Sequence, residues 1–253
     1  MSYKRFKYFH ISKTKKIRFL SIKNPSNICL IFLHGFMSNI EGEKPSKFAN
    51  YSRIKKINFL TLEYSGHGKS YGKFTNGNIS KWTNDAKKII KNKIKNKKLI
   101  FIGSSMGAWI ALNLIKEFQK QIKGFIGIGS APEFLEKLMW KKFTKKIKKT
   151  INKEKIYHMK HGDYTYPLTK QIFVDGKKNK VLKKKFNLNI PVYMFHGAKD
   201  EVVPTNFSKK VLNVFPNANK KLFIFKRGDH SLSKKNYLNK ICKELNRIIK
   251  NLS

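Results

Sequence analysis

Three observations predict an α/β architecture, with a mainly parallel sheet covered by helices on both faces. Short apolar runs bounded by Gly and Pro alternate with amphipathic stretches of 10 to 16 residues along most of the chain. The 253 residues are 40% hydrophobic and 13% aromatic, enough for one large core in a domain of a size common for such sheets. One strand–helix junction, Gly103-Ser104-Ser105-Met106-Gly107, has the spacing that puts a serine at the tip of a sharp turn.

The elements follow in order. Tyr3–Phe9 alternates bases with aromatics and leads into strand-like sequence. Lys16–Ile22 reads as a strand, Asn24-Pro25-Ser26-Asn27 as a turn and Ile28–Leu33 as a buried strand. The N-terminal hairpin is the expected antiparallel part. Pro45–Lys55 reads as a helix, since Phe48, Ala49 and Ile54 fall on one face, and Ile57–Tyr64 as a strand. Helix Ile79–Ile94, strand Leu99–Gly103, helix Met106–Gln121 and strand Gly124–Gly129 come next. Strand Val192–His196, helix Asn206–Phe215, strand Lys221–Lys226 and helix Lys234–Ile249 complete the series.

Residues 132–189 break this rhythm. Glu133–Met159 reads as one or two helices, with apolar residues at intervals of about three to four among ten lysines between Lys137 and Lys160, and Thr169–Lys183 as another. An excursion between two strands of a parallel sheet predicts a helical lid over the C-terminal strand edge, where such sheets bind ligands. The expected organisation is a core of residues 1–131 and 190–253 with a lid at 132–189.

The formal net charge is +42, from 56 Lys+Arg against 14 Asp+Glu. Such an excess raises nucleic acid or anionic membrane as partners. Only five of the bases are Arg, however, whereas phosphate and base recognition favours the guanidinium fork. The lysines also spread along the whole chain, so a solvated surface is the expectation and no specific nucleic-acid partner is expected. No apolar run approaches the roughly 18 residues of a membrane span, and no signal-peptide stretch is evident. Two cysteines, Cys29 and Cys242, cannot build a disulfide framework and lack metal-ligand spacing. A soluble cytoplasmic protein without a structural metal is expected.

Chemistry concentrates in short motifs. After the apolar run Leu99–Ile102, the spacing selects Ser105 as the exposed hydroxyl, and the amide of Met106 opens the next helix where its dipole favours an oxyanion. A serine of ordinary pKa needs a base, and the base a carboxylate to orient it, in chain order Ser, acid, His. Of seven histidines only His230 follows every candidate acid, just beyond the last strand. His196 reads as packed or hydrogen-bonded locally, and His158 and His161 as surface residues of the lid. Asp200, directly after a strand, is the favoured acid, with Glu201 and Glu133 as rivals; Asp229 is badly placed to hold its sequence neighbour. His34-Gly35-Phe36 closes a strand and offers the Phe36 amide as second oxyanion donor. The glycine-rich Tyr64–Ser70 lacks phosphate-loop spacing and reads as a turn flanking the pocket, and no dinucleotide fingerprint follows any strand. No cofactor is expected.

Together these motifs resemble the α/β-hydrolase superfamily over nearly the full chain: His34-Gly35-Phe36, Gly66-His67-Gly68-Lys69-Ser70, Gly103–Gly107, His196–Asp200 and Gly228-Asp229-His230. A narrower similarity, to the branch of the mitochondrial palmitoyl-protein thioesterase that is also an acyl-glucuronide esterase and its alphaproteobacterial relatives, rests on Tyr64-Ser65-Gly66, Gly103-Ser104-Ser105, Gly107-Ala108-Trp109, Tyr166–Thr169, Asp175-Gly176 and Asp229-His230. The resemblance implies an eight-stranded sheet, a helical lid, and hydrolysis of small-molecule or protein-linked acyl esters or thioesters without a cofactor. It carries the triad onto Ser105, Asp200 and His230 and the oxyanion donors onto Phe36 and Met106. Serine at the turn argues against dehalogenase or epoxide-hydrolase chemistry, and lid lysines would favour an anionic leaving group. Acyl transfer on the same triad and a non-catalytic module binding anionic partners are the alternatives.

Overall fold

The computed structural model describes residues 6–161 and 164–252. Tyr3, Lys4 and Arg5 of the basic–aromatic start lie outside the described residues, as does the side chain of His161.

Strands β1 (Lys7–His10), β2 (Lys16–Ile22), β3 (Ile28–Leu33), β4 (Asn58–Leu62), β5 (Lys98–Ser104), β6 (Ile122–Ile128), β9 (Pro191–Gly197) and β10 (Asn219–Phe225) form one sheet in the order β1-β2-β4-β3-β5-β6-β9-β10. The pairs β1–β2 and β2–β4 are antiparallel and the rest parallel. Between them run α1 (Glu43–Ile54), α2 (Ile79–Lys93), α3 (Met106–Phe118), α6 (Asn206–Asn213) and α7 (Lys235–Lys250).

The strand period of two divides the core. In β3, Cys29, Ile31 and Leu33 point into one apolar layer, packed by α2, α3 and α6, while Ile28, Leu30 and Phe32 point into the other, packed by α1 and α7. Every residue of β3 is therefore buried, which is why it reads as an unbroken apolar run. Helix α7 buries Leu238, Ile241, Leu245 and Ile248 at helical spacing and leaves its lysines outside. Its buried Glu244 is held by Lys240 (2.8 Å) and Arg247 (2.7 Å).

The segment between β6 and β9 corrects the all-helical expectation. A π turn (Leu135–Met139), a 3-10 turn (Trp140–Lys142) and α4 (Lys145–Glu154) lead into an antiparallel hairpin of β7 (Ile156–His161) and β8 (Tyr164–Thr169), followed by α5 (Lys170–Lys178). The residues 156–159 assigned to a helix thus lie in a strand. Ile, Tyr and Thr in these runs favour a pleated surface, and Pro167 is tolerated because this two-stranded sheet leaves each strand an open edge.

Candidate active site

Ser105 stands alone between β5 and α3 with φ 51° and ψ −118°, a backbone conformation that costs a non-glycine residue on the order of 1–3 kcal/mol. The turn is held by its amide on the Ile128 carbonyl (2.9 Å) and by the Ala131 amide on its own carbonyl (3.2 Å). At Gly107 a Cβ would lie 2.0 Å from the Leu33 carbonyl oxygen, so only glycine lets α3 start this close to β3.

The loops after β9 and β10 meet beside it. Backbone bonds from Ala198 to Phe225 O (2.9 Å) and from Lys199 to Gly228 O (2.9 Å) join them. A Cβ at Gly197 would lie 2.2 Å from the Gly228 oxygen. These loops carry Asp200 and His230. His230 Nε2 is 3.1 Å from Ser105 Oγ, and His230 Nδ1 is 2.7 Å from Asp200 Oδ2. Since Asp200 Oδ2 accepts, Nδ1 carries the proton and Nε2 faces the serine as acceptor. Burial raises the Asp200 pKa, but hydrogen bonds from His196 and His230 more than offset it and hold the carboxyl well below the usual carboxylate range.

The other sequence candidates sit elsewhere. Glu133 turns away, its Oε1 taking the amides of Val181 (2.9 Å) and Leu182 (2.7 Å) and tying down the return of the insertion. Asp229 caps its own loop through the Leu232 amide (2.9 Å). Glu201 is exposed at the cavity wall, and His158 is exposed on β7. Buried His67 belongs to the Tyr64–Ser70 turn and packs 5.1 Å from His34; burial pushes its pKa down to about 4.

Met106 begins α3, so its amide has no partner within the helix. Phe36 follows β3 and is boxed by the edges of Phe74 (5.0 Å) and Phe134 (5.3 Å) and stacked on Tyr166 (6.0 Å). A cavity of about 770 Å³ opens over Ser105 and His230. Phe134, Leu138, Met139, Phe143 and Met159 of the insertion form its apolar wall, and α1 and the His230 loop its polar one. Lys44, which sequence reasoning missed, reaches from α1 to donate to Ser231 O (2.5 Å) and Ser233 Oγ (3.0 Å). Burial pulls its pKa down to about 8. A cation in the first turn of a helix carries no catalytic signature in sequence.

Residues 24–175 match the family model described as serine aminopeptidase, S33. The chain belongs to that family of α/β hydrolases. It is 26% identical over 221 residues to the mitochondrial palmitoyl-protein thioesterase ABHD10 of Rattus norvegicus, spanning 83% of this chain and 70% of that protein. Among solved structures, an Agrobacterium vitis protein superposes with a TM-score of 0.90 at 25% identity, covering 97% of this chain and 98% of that one. Mouse ABHD10 gives 0.88 at 22% identity, with 98% and 100% covered. The fold is the α/β-hydrolase fold, as the motifs imply, and the relatives are thioesterase- and esterase-like hydrolases. Among the described residues, no helix is long and apolar enough to cross a membrane, and no group of three or more His, Cys, Asp or Glu is arranged to hold a metal ion.

Proposed function

We propose that this protein is a serine hydrolase that cleaves acyl esters or thioesters through an acyl-enzyme on Ser105. The observation that carries the reading is the continuous hydrogen-bonded line from Ser105 Oγ through both nitrogens of His230 to Asp200. In this reading His230 Nε2 removes the Ser105 proton as Oγ attacks the acyl carbonyl, and Asp200 stabilises the imidazolium that forms. The Met106 and Phe36 amides hold the tetrahedral oxyanion, each such donor contributing on the order of 10²–10³ in rate. His230 returns the proton to the departing alcohol or thiol, the acyl group stays on Oγ, and a water deprotonated by the same nitrogen releases it as the acid.

The insertion at 132–189 serves as the lid, and its apolar wall takes the acyl chain. The cavity volume lies in the range of about 300–1,000 Å³ common to small-molecule sites. Similarity to palmitoyl-protein thioesterases supports an acyl substrate. The purified protein should hydrolyse p-nitrophenyl esters, and Ser105→Ala should reduce kcat at least about 10³-fold. Undiminished turnover by Ser105→Ala would refute the proposal.

A further inference from the structure

Asp200 receives more donors than an acid that only orients His230 requires. Its Oδ1 takes the amides of Val202 (2.9 Å) and Val203 (2.7 Å), and its Oδ2 takes His230 Nδ1 (2.7 Å). A second imidazole reaches the same Oδ2. His196 Nε2 lies 3.1 Å away, with both side chains fully buried.

The surroundings of His196 place a hydrogen on Nε2. Nε2 faces two acceptors, Asp200 Oδ2 and the Val203 carbonyl at 2.8 Å, so Nε2 carries the hydrogen. Nδ1 is hydrogen-bonded to the hydroxyl of Ser208 on α6 at 2.8 Å. The imidazole therefore donates from Nε2 toward Asp200.

We propose that His196 is a positioning residue for the Asp200–His230 pair. By giving Oδ2 a second donor it divides the charge that this oxygen presents to His230, and so sets how strongly the imidazolium is held. The inference rests on the reading of Asp200 and His230 as acid and base, and adds a residue to it. Two backbone amides keep Oδ1 in place when His196 is replaced, so the loss is confined to one donor on Oδ2. An oxygen relieved of that donor attracts a proton on His230 more strongly. Ionisable groups lining the cavity with His230 are His34 after β3, Glu43 and Lys44 on α1, Lys142 and Tyr166 in the insertion and Glu201 in the β9 loop, and Asp229 precedes it in its own loop. All of them are unchanged by substitution at 196.

The test is an NMR titration of ring-labelled histidine in the wild type, His196→Leu and His196→Gln, with the His230 signal identified by its loss in His230→Gln. His196→Leu should raise the proton affinity of His230 about threefold or more. His196→Gln, whose amide N–H reaches toward the same oxygen, should return it most of the way to wild type. A residue that merely fills space would lower the folded fraction and leave the midpoint of the folded protein where it was. A midpoint that is unchanged or lower in His196→Leu, or a rise that Gln does not reverse, overturns the proposal. The titration reads the imidazole itself, so it decides this inference independently of turnover. Failure of the wild type to hydrolyse any ester would count against the proposed function alone.

Discussion

The carboxylate of Asp175 takes both the amide (2.9 Å) and the hydroxyl (2.6 Å) of Ser80, fastening α5 to the first turn of α2. It supplies from the insertion a second acceptor at a helix start where the Asn78 side chain already takes the Lys81 amide (2.9 Å). Gln171 strengthens the seam by donating to Thr75 O (2.8 Å) and accepting from Asn78 (3.0 Å). This end of the insertion is thus part of the framework, and the wall of the cavity is built from a base fixed to the core.

Asp175→Ala should lower stability by about 1 kcal/mol, the usual effect of losing a helix-start acceptor. Urea denaturation measures it. Hydrolysis of a short ester should stay within about twofold of wild type, because the Ser105 turn is held by β6 and not by α5.

Lys44 fixes the loop that carries His230 through two hydrogen bonds to residues 187 and 189 positions away. Lys44→Met should lower kcat/KM about 10-fold to 100-fold by loosening that loop. The same variant isolates a pH effect. Folding depresses the Lys44 pKa from 10.5 to about 8, so between these values the folded state binds fewer protons than the unfolded chain. Stability from this group therefore rises with pH across that window and is flat below it. Urea midpoints should show the wild type gaining on Lys44→Met from pH 8 to pH 10.5; equal pH dependence of the two would refute the assignment.

Gly107→Ala should cost at least about 3 kcal/mol, since its Cβ would meet backbone rather than a side chain that can move. Gly42→Ala, with nothing within 4 Å of the added carbon, should fold as wild type. Thermal unfolding of the pair separates a steric requirement at the turn from a general intolerance of substitution.

Leu138 lies on the apolar wall of the cavity. Leu138→Trp should reduce kcat/KM for long-chain p-nitrophenyl esters at least about 10-fold while sparing the acetate, because the added volume removes space that only a long acyl chain uses. A uniform loss across chain lengths would place the acyl chain elsewhere.

How far the sequence was legible follows from the range of each signal. The run Leu99–Ile102, the Ser105 turn and the helix after it are local, and their boundaries fall within a few residues of those observed. Asp200 and His230 could be ranked because loops after parallel strands gather at one edge of the sheet, so chain order alone narrows the choice. The β7–β8 hairpin escaped because Ile156–Met159 continues the apolar spacing of α4, although Gly162-Asp163 between two tyrosine-containing runs was a turn signal in the sequence. Local hydrogen bonding of His196 was legible, but its contact with Asp200, like that of Lys44 with Ser231, was not. Each is a side-chain geometry set by packing, and neither residue type nor spacing encodes it.

Peptide mapping of the adduct formed with a fluorophosphonate tests whether Ser105 is the nucleophile. The expected result is a single covalent adduct on Ser105, absent from Ser105→Ala and strongly slowed in His230→Gln. An adduct on a different residue, or labelling that survives Ser105→Ala, would exclude Ser105 as the nucleophile.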